Sequence, residues 1–260
     1  MKISMIQMNT KLDEPSYNFA HAKELLYQAA SQNPDIITLP ETWNTGFFPS
    51  NLLALHSDKN GEKTYALLSD ISRKFHTNIV GGSVVIQQNN KFYNRSYQFD
   101  RNGNSLGFYD KVHLFSPMKE DFFFQKGNQI HTFLCDQIRC GIAICYDLRF
   151  PEWIRKITLD KIDILFLVAQ WPMTRLPHLE ILTQARAIEN QIFVCCTNSC
   201  QFDGVTNFAG HSCIYDPSGA CIQKAENEET ILTATLDFSI LKSIRKSIPI
   251  FQDRRTDLYH

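Results

Sequence analysis

Short apolar runs alternate along this chain with segments whose apolar residues recur at helical spacing, and that alternation confines it to a layered α/β architecture. Residues 2–7 and 35–39 read as strands, while Phe19, Ala22, Leu25, Leu26, Ala29 and Ala30 between them follow a helical period. A helix is expected over 62–76, a strand over 78–87 and an alternating partner strand over 92–99. Asn89-Asn90 and Asn102-Gly103 are tight-turn pairs, because these residues tolerate positive φ, so hairpins must interrupt any parallel sheet. Further strands are expected at 105–109, 130–134, 138–145, 162–168, 192–197, 210–215 and 230–236, with helices near 152–158 and 177–190. Hairpins mixed with crossovers predict mixed sheets within a single domain spanning residues 1–260. The stretch from about 247 to 260, with Pro249, Arg254 and Arg255, is expected to be an extended tail that packs on a partner subunit.

Composition removes several classes. Hydrophobic residues at 43% and charged residues at 20% match a globular domain rather than a disordered one. Lys plus Arg number 26 against 27 Asp plus Glu, which leaves no basic surface for phosphates and argues against a nucleic-acid partner. No apolar run approaches the length of a membrane span, about 18 residues or more, so a soluble protein without membrane attachment is expected. Residues 1–10 alternate polar and apolar side chains, as a first strand does and a secretory signal does not. Eight cysteines in that context point to reduced thiols in the cytoplasm.

The chemistry concentrates in RCGIAICYDLRFPEWIR, residues 139–155, where an apolar run stops at Cys145 and a Pro151-initiated helix follows. A strand-to-helix turn pushes its side chain out of the sheet and leaves the next backbone N–H, that of Tyr146, free to bind an oxyanion. A small buried core thiol is the bland alternative for Cys145. A free thiol needs a base or cation to become a good nucleophile, and none of the eight histidines is obviously placed to supply one. Two charges stand at strand ends instead: Glu41 in ITLPETWNTGF and Lys111 in FYDKVHLF. Singly, Glu41 reads as a capping or surface acid and Lys111 as a snorkelling lysine; only their combination with Cys145 is informative.

LPETW, YDKVHLF and CYDLRFPEW, in that order, resemble the motifs of the carbon-nitrogen hydrolase (nitrilase) superfamily, and the likeness extends to the DRRTDLY tail. The resemblance implies a four-layer αββα fold with two mixed sheets, pairing of two units through their helical faces, and no cofactor. It implies Glu41 as general base, Lys111 as oxyanion-stabilising ammonium, Cys145 as nucleophile and Glu120 as a second, positioning glutamate, with Asp121 as a substitute for Glu120. Such a set suits thiolate attack on a small amide, formation of a thioester and its hydrolysis, with one carboxylate shuttling the proton in both halves. No metal is required.

CYDLRFPEWIRK, RAIENQ, AGHSCIYDPSG and SIPIFQDRR are similar to the bacterial omega-amidase branch, which releases ammonia from 2-oxoglutaramate or 2-oxosuccinamate. A substrate with a remote carboxylate suits a guanidinium reader, and Arg149 is the first candidate. AQWPMTRLPH adds Trp171, Thr174 and Arg175 as pocket-wall candidates, although animal-type omega-amidases differ there and Arg175 is equally readable as a surface charge. Phe47, Phe48 and Phe122 to Phe124 are candidates for a dry cavity or for plain core. Arg186 and Glu189 are expected to form a helix-surface ion pair. Within the enzyme class the alternatives are a deaminated glutathione-like amide or an N-carbamoyl amine. From a different class comes a zinc-binding module built on Cys195, Cys200, His211 and Cys213, although this spacing matches no recognised zinc pattern and adjacent Cys195 and Cys196 would face opposite ways.

Overall fold

The structure, a computed structural model, describes residues 1–47 and 52–259 of the chain. Two mixed sheets lie face to face. The first has eight strands among the described residues, running Thr230–Thr235, Lys2–Gln7, Ile36–Thr38, Asn78–Val80, Lys91–Phe99, Val84–Gln88 and Asp58–Lys59, with Ser105–Asp110 also paired to Lys91–Phe99. The second has six: Cys221–Lys224, Cys213–Tyr215, Phe193–Asn198, Ile164–Ala169, Ile138–Ile144 and Thr132–Cys135. Alternation along the first strand shows how the layers are made. Ile3 and Met5 enter the core shared with the second sheet, whereas Ile6 and Met8 face the core beneath the helices Pro15–Ala30 and Glu62–Phe75. The helices Pro151–Thr158 and Leu176–Asn190 cover the far side of the second sheet, which completes an αββα sandwich. Proline opens three of these four helices, where its missing N–H costs no intrahelical bond. No helix among the described residues is long and apolar enough to cross a membrane.

Both asparagine turns form: Asn89, Asn90 and Gly103 all have positive φ. The run expected as one strand over 78–87 is broken, and the break serves the site. Val80 and Val84 belong to separate strands because Gly81-Gly82 bends the chain, with Gly82 at φ +62°. A Cβ on Gly82 would lie 2.2 Å from the Pro40 carbonyl oxygen, so only glycine permits this close approach to the segment leading into Glu41. The stretch expected as an extended tail is partly helical. Helix Ile240–Ser247 precedes it, and Ile250–Asp253 forms a further helical turn. Those segments pack on their own chain: Gln191 Nε2 donates to the Ile248 carbonyl at 2.8 Å, and the Arg155 guanidinium lies 5.1 Å over the Phe251 ring. These tertiary contacts recruit residues whose local sequence reads as irregular.

Candidate active site

Four strand ends converge. Glu41 follows Ile36–Thr38 and Lys111 follows Ser105–Asp110 in the first sheet; Cys145 follows Ile138–Ile144 and Gln170 follows Ile164–Ala169 in the second. The sheets are joined here through Glu41: its backbone N–H donates to the Ala169 carbonyl at 3.4 Å, and its side-chain Oε2 accepts the Gln170 backbone N–H at 3.0 Å.

Lys111 Nζ donates to Glu41 Oε1 at 2.8 Å and to Glu120 Oε1 and Oε2 at 3.0 and 2.8 Å. Glu41 and Lys111 are 0% exposed and Glu120 2%, so the ammonium bridges two carboxylates in a dry interior. Glu120 also accepts Phe115 N–H at 2.6 Å, while neighbouring Asp121 is exposed; the choice between the two acids therefore falls on Glu120. Asn94, which the sequence did not single out, donates Nδ2 to Glu41 Oε1 at 2.9 Å. Its carbonyl accepts Lys111 N–H at 2.9 Å, so one residue of the long central strand aligns both charges.

Burial, and then the negative charge of Glu120, raise Glu41 above the ordinary carboxylate range against the pull of Lys111. Burial alone would depress Lys111, but Glu120 and Glu41 outweigh it and hold the amine well above its usual value, fully charged. Burial and the Glu41 charge push the Cys145 thiol well up, with Lys111 opposing. The resting site therefore carries a neutral thiol beside a carboxylate of enhanced basicity.

Cys145 sits at φ +48°, a left-handed conformation that costs a non-glycine residue on the order of 1 kcal/mol or more. It opens the 3-10 helix Cys145–Arg149, and the first N–H groups of such a helix, Tyr146 included, have no partner within it. Cys145 borders a cavity of about 40 Å³ whose walls include Phe47, Phe115, Arg149, Trp171 and Arg175. Arg149 stacks 4.5 Å over the Trp171 ring and Arg175 lies 4.9 Å over Phe115, and neither forms an ion pair with a carboxylate among the described residues. Aromatic faces thus hold two cations at the cavity without neutralising them.

Other expectations are corrected. Thr174 is exposed on the 3-10 turn Met173–Arg175 and does not line the cavity. The cavity instead gains Thr206 and Phe208 from the hairpin of Cys200–Phe202 and Asn207–Ala209, whose short polar strands carry no strong periodic signal. Phe122 is 81% exposed and Phe124 packs with Leu53, Val85 and Leu114; Phe48 lies outside the described residues. Arg186 does pair with Glu189 at 3.0 Å, yet it is buried and also donates Nη2 to the Leu148 carbonyl at 2.8 Å, bracing the Cys145 turn rather than decorating a surface. The zinc reading fails on geometry. Cys195 registers with Ile214 and not Cys213, His211 Nδ1 pairs with Glu180 at 3.2 Å, and no three His, Cys, Asp or Glu side chains among the described residues are grouped to hold a metal.

The model of the carbon-nitrogen hydrolase family matches residues 2–246, and the chain belongs to that family. The chain is 39% identical to the 2-oxoglutaramate amidase of Bacillus subtilis strain 168, over 99% of this chain and 98% of that protein. It is 32% identical to the omega-amidase NIT2 of Mus musculus, over 99% and 96% of the two chains. Among solved structures, the CN-hydrolase superfamily protein XC1258 of Xanthomonas campestris superposes with a TM-score of 0.91 at 29% identity, covering 98% of this chain and 97% of that one. The protein is an amide-hydrolysing enzyme with the nitrilase-type α/β fold.

Proposed function

We propose that this enzyme is an omega-amidase, releasing ammonia from a small amide with a remote carboxylate, 2-oxoglutaramate or 2-oxosuccinamate. The observation that carries the reading is the pair of uncompensated guanidiniums, Arg149 and Arg175, beside Cys145 in one small cavity. The similarity to the 2-oxoglutaramate amidase of Bacillus subtilis supports the same substrate class.

The chemistry follows from the charges. Glu41 removes the thiol proton as sulfur attacks the amide carbon, forming the S–C bond and moving the carbonyl π pair onto oxygen. Lys111 and the Tyr146 N–H stabilise that oxyanion in a dry site where such donors act strongly. Collapse breaks the C–N bond while protonated Glu41 delivers its proton to nitrogen, and ammonia departs from a thioester. Water then attacks the thioester, giving a proton to Glu41, and the second collapse expels sulfur, which recovers that proton. Glu120 holds Lys111 throughout.

The test is ammonia release from 2-oxoglutaramate, glutamine, simple nitriles and N-carbamoyl compounds, run beside Cys145→Ala. Turnover of the 2-oxo acid amide, abolished in the variant, is expected. A wide preference for nitriles or carbamoyl compounds removes the omega-amidase reading and leaves the hydrolase class standing.

A further inference from the structure

Lys111 and Cys145 belong to different sheets, so something must hold them in register as substrate binds and leaves. Residues 109, 111 and 113 follow a period of two through the end of Ser105–Asp110, with Lys111 turned to the two glutamates. Its flanking neighbours both turn to one group. Tyr109 O–H donates to Asp147 Oδ2 at 2.8 Å, and the His113 backbone N–H and ring Nδ1 meet Asp147 Oδ1 at 2.9 and 2.8 Å. Asp147 Oδ2 also accepts the Ile144 N–H at 2.9 Å, immediately before the left-handed Cys145.

Asp147 is 0% exposed and forms no salt bridge with Lys or Arg among the described residues; its neighbours satisfy the oxygens from both sheets. Burial and the nearby Asp147 charge push Tyr109 well above the usual phenol range, so its O–H remains a donor, and Trp153 Nε1 donates to that oxygen at 2.9 Å. The His113 ring is stacked on Phe150, 3.7 Å between centroids, which fixes its plane.

We propose that Asp147 is a positioning residue for the reaction, tying the Lys111 segment to the Cys145 turn through Tyr109, His113 and Ile144 so that the ammonium and the sulfur address the same carbonyl. It rests on Cys145 and Lys111 acting as described under the proposed function. Asp147 touches no reacting atom. Its loss misplaces two groups that must meet, which lowers the chemical step and leaves ground-state binding by the cavity guanidiniums in place.

The test is Asp147→Asn, with Tyr109→Phe and His113→Gln beside it. Measured are kcat and KM for the best amide, the melting temperature, and iodoacetamide labelling followed peptide by peptide. Exposed Cys221 serves as the internal control for labelling. In Asp147→Asn, kcat and Cys145 labelling are expected to fall about 100-fold with KM within about threefold, and each of the other variants to fall about five-fold. Cys221 labelling stays unchanged. A folded Asp147→Asn with kcat and Cys145 labelling within about twofold of the parent overturns the proposal. If that variant does not fold, Tyr109→Phe and His113→Gln decide: parental kcat and labelling in both overturn it equally. Activity surviving in Cys145→Ala would instead remove the nucleophile reading, a separate failure.

Discussion

Replacing Lys111 with methionine asks how much the buried charge cluster costs and what the ammonium does for it. Glu41 and Glu120 each place an oxygen 2.8 Å from Nζ, so those oxygens are at most ~5.6 Å apart. With the ammonium gone, two carboxylates face each other with a repulsion of about 3 kcal/mol or more at an effective dielectric near 20. Each also loses its partner for burial, a change that typically costs about 3 to 5 kcal/mol. Protonation is the escape. In the variant a carboxylate pKa rises far above its unfolded value, so the folded state binds the extra proton and stability falls as pH rises, by up to about 1.4 kcal/mol per unit. Lys111→Met is therefore expected to lose about 3 to 5 kcal/mol in urea unfolding at pH 8 and less at pH 6. Adding Glu120→Gln removes one charge and should restore most of that stability without restoring ammonia release, because the oxyanion still lacks its cation. A single variant within about 1 kcal/mol of the parent at pH 8, or a loss that does not change with pH, would refute the electrostatic account.

Three further outcomes concern Glu41 itself, the Gly82 bend and His131. The acid limb of kcat/KM should lie above the ordinary carboxylate range, since Glu41 is raised chiefly by burial and must be ionised to accept the thiol proton; a pH–rate profile with a limb below pH 4 would contradict this. Gly82→Ala should lower both stability and kcat, because its methyl would press on Pro40 one residue before Glu41; unfolding and turnover measured together check it, and parental values for both would show that the bend yields freely. Burial holds His131 down to about 4, so its contribution is complete above an unfolded pKa near 6.5 and is lost as pH falls toward 4. At pH 4.5 this amounts to roughly 2 to 3 kcal/mol, and His131→Phe should flatten that part of the acid-unfolding curve.

Periodicity carried most of the longer strands and the four long helices, because side-chain alternation and helical spacing are local properties of a chain, and the turn pairs carried the mixed character of the sheets. Asp58–Lys59, Cys200–Phe202, Asn207–Ala209 and Cys221–Lys224 are too short to show a period and were not legible. The motifs likewise made Glu41, Lys111 and Cys145 stand out, with Glu120 added only by the family resemblance, and both asparagine turns could be read from residues that accept positive φ. What tertiary structure decided is which local features mattered. Arg186 reads as half of a surface pair until the Cys145 turn is seen against it, and Thr174 reads as pocket wall until its turn faces it outward. Asn94 has no distinguishing signal of its own, and Asp147, although it lies inside the CYDLRFPEW motif, reads there only as an acid in a turn; their meaning comes from partners 53 and 38 positions away. Sequence determines where a charge can stand at the end of a strand. Only the closing of one sheet on the other removes the water around it, and that desolvation turns scattered polar residues into a single reactive cluster.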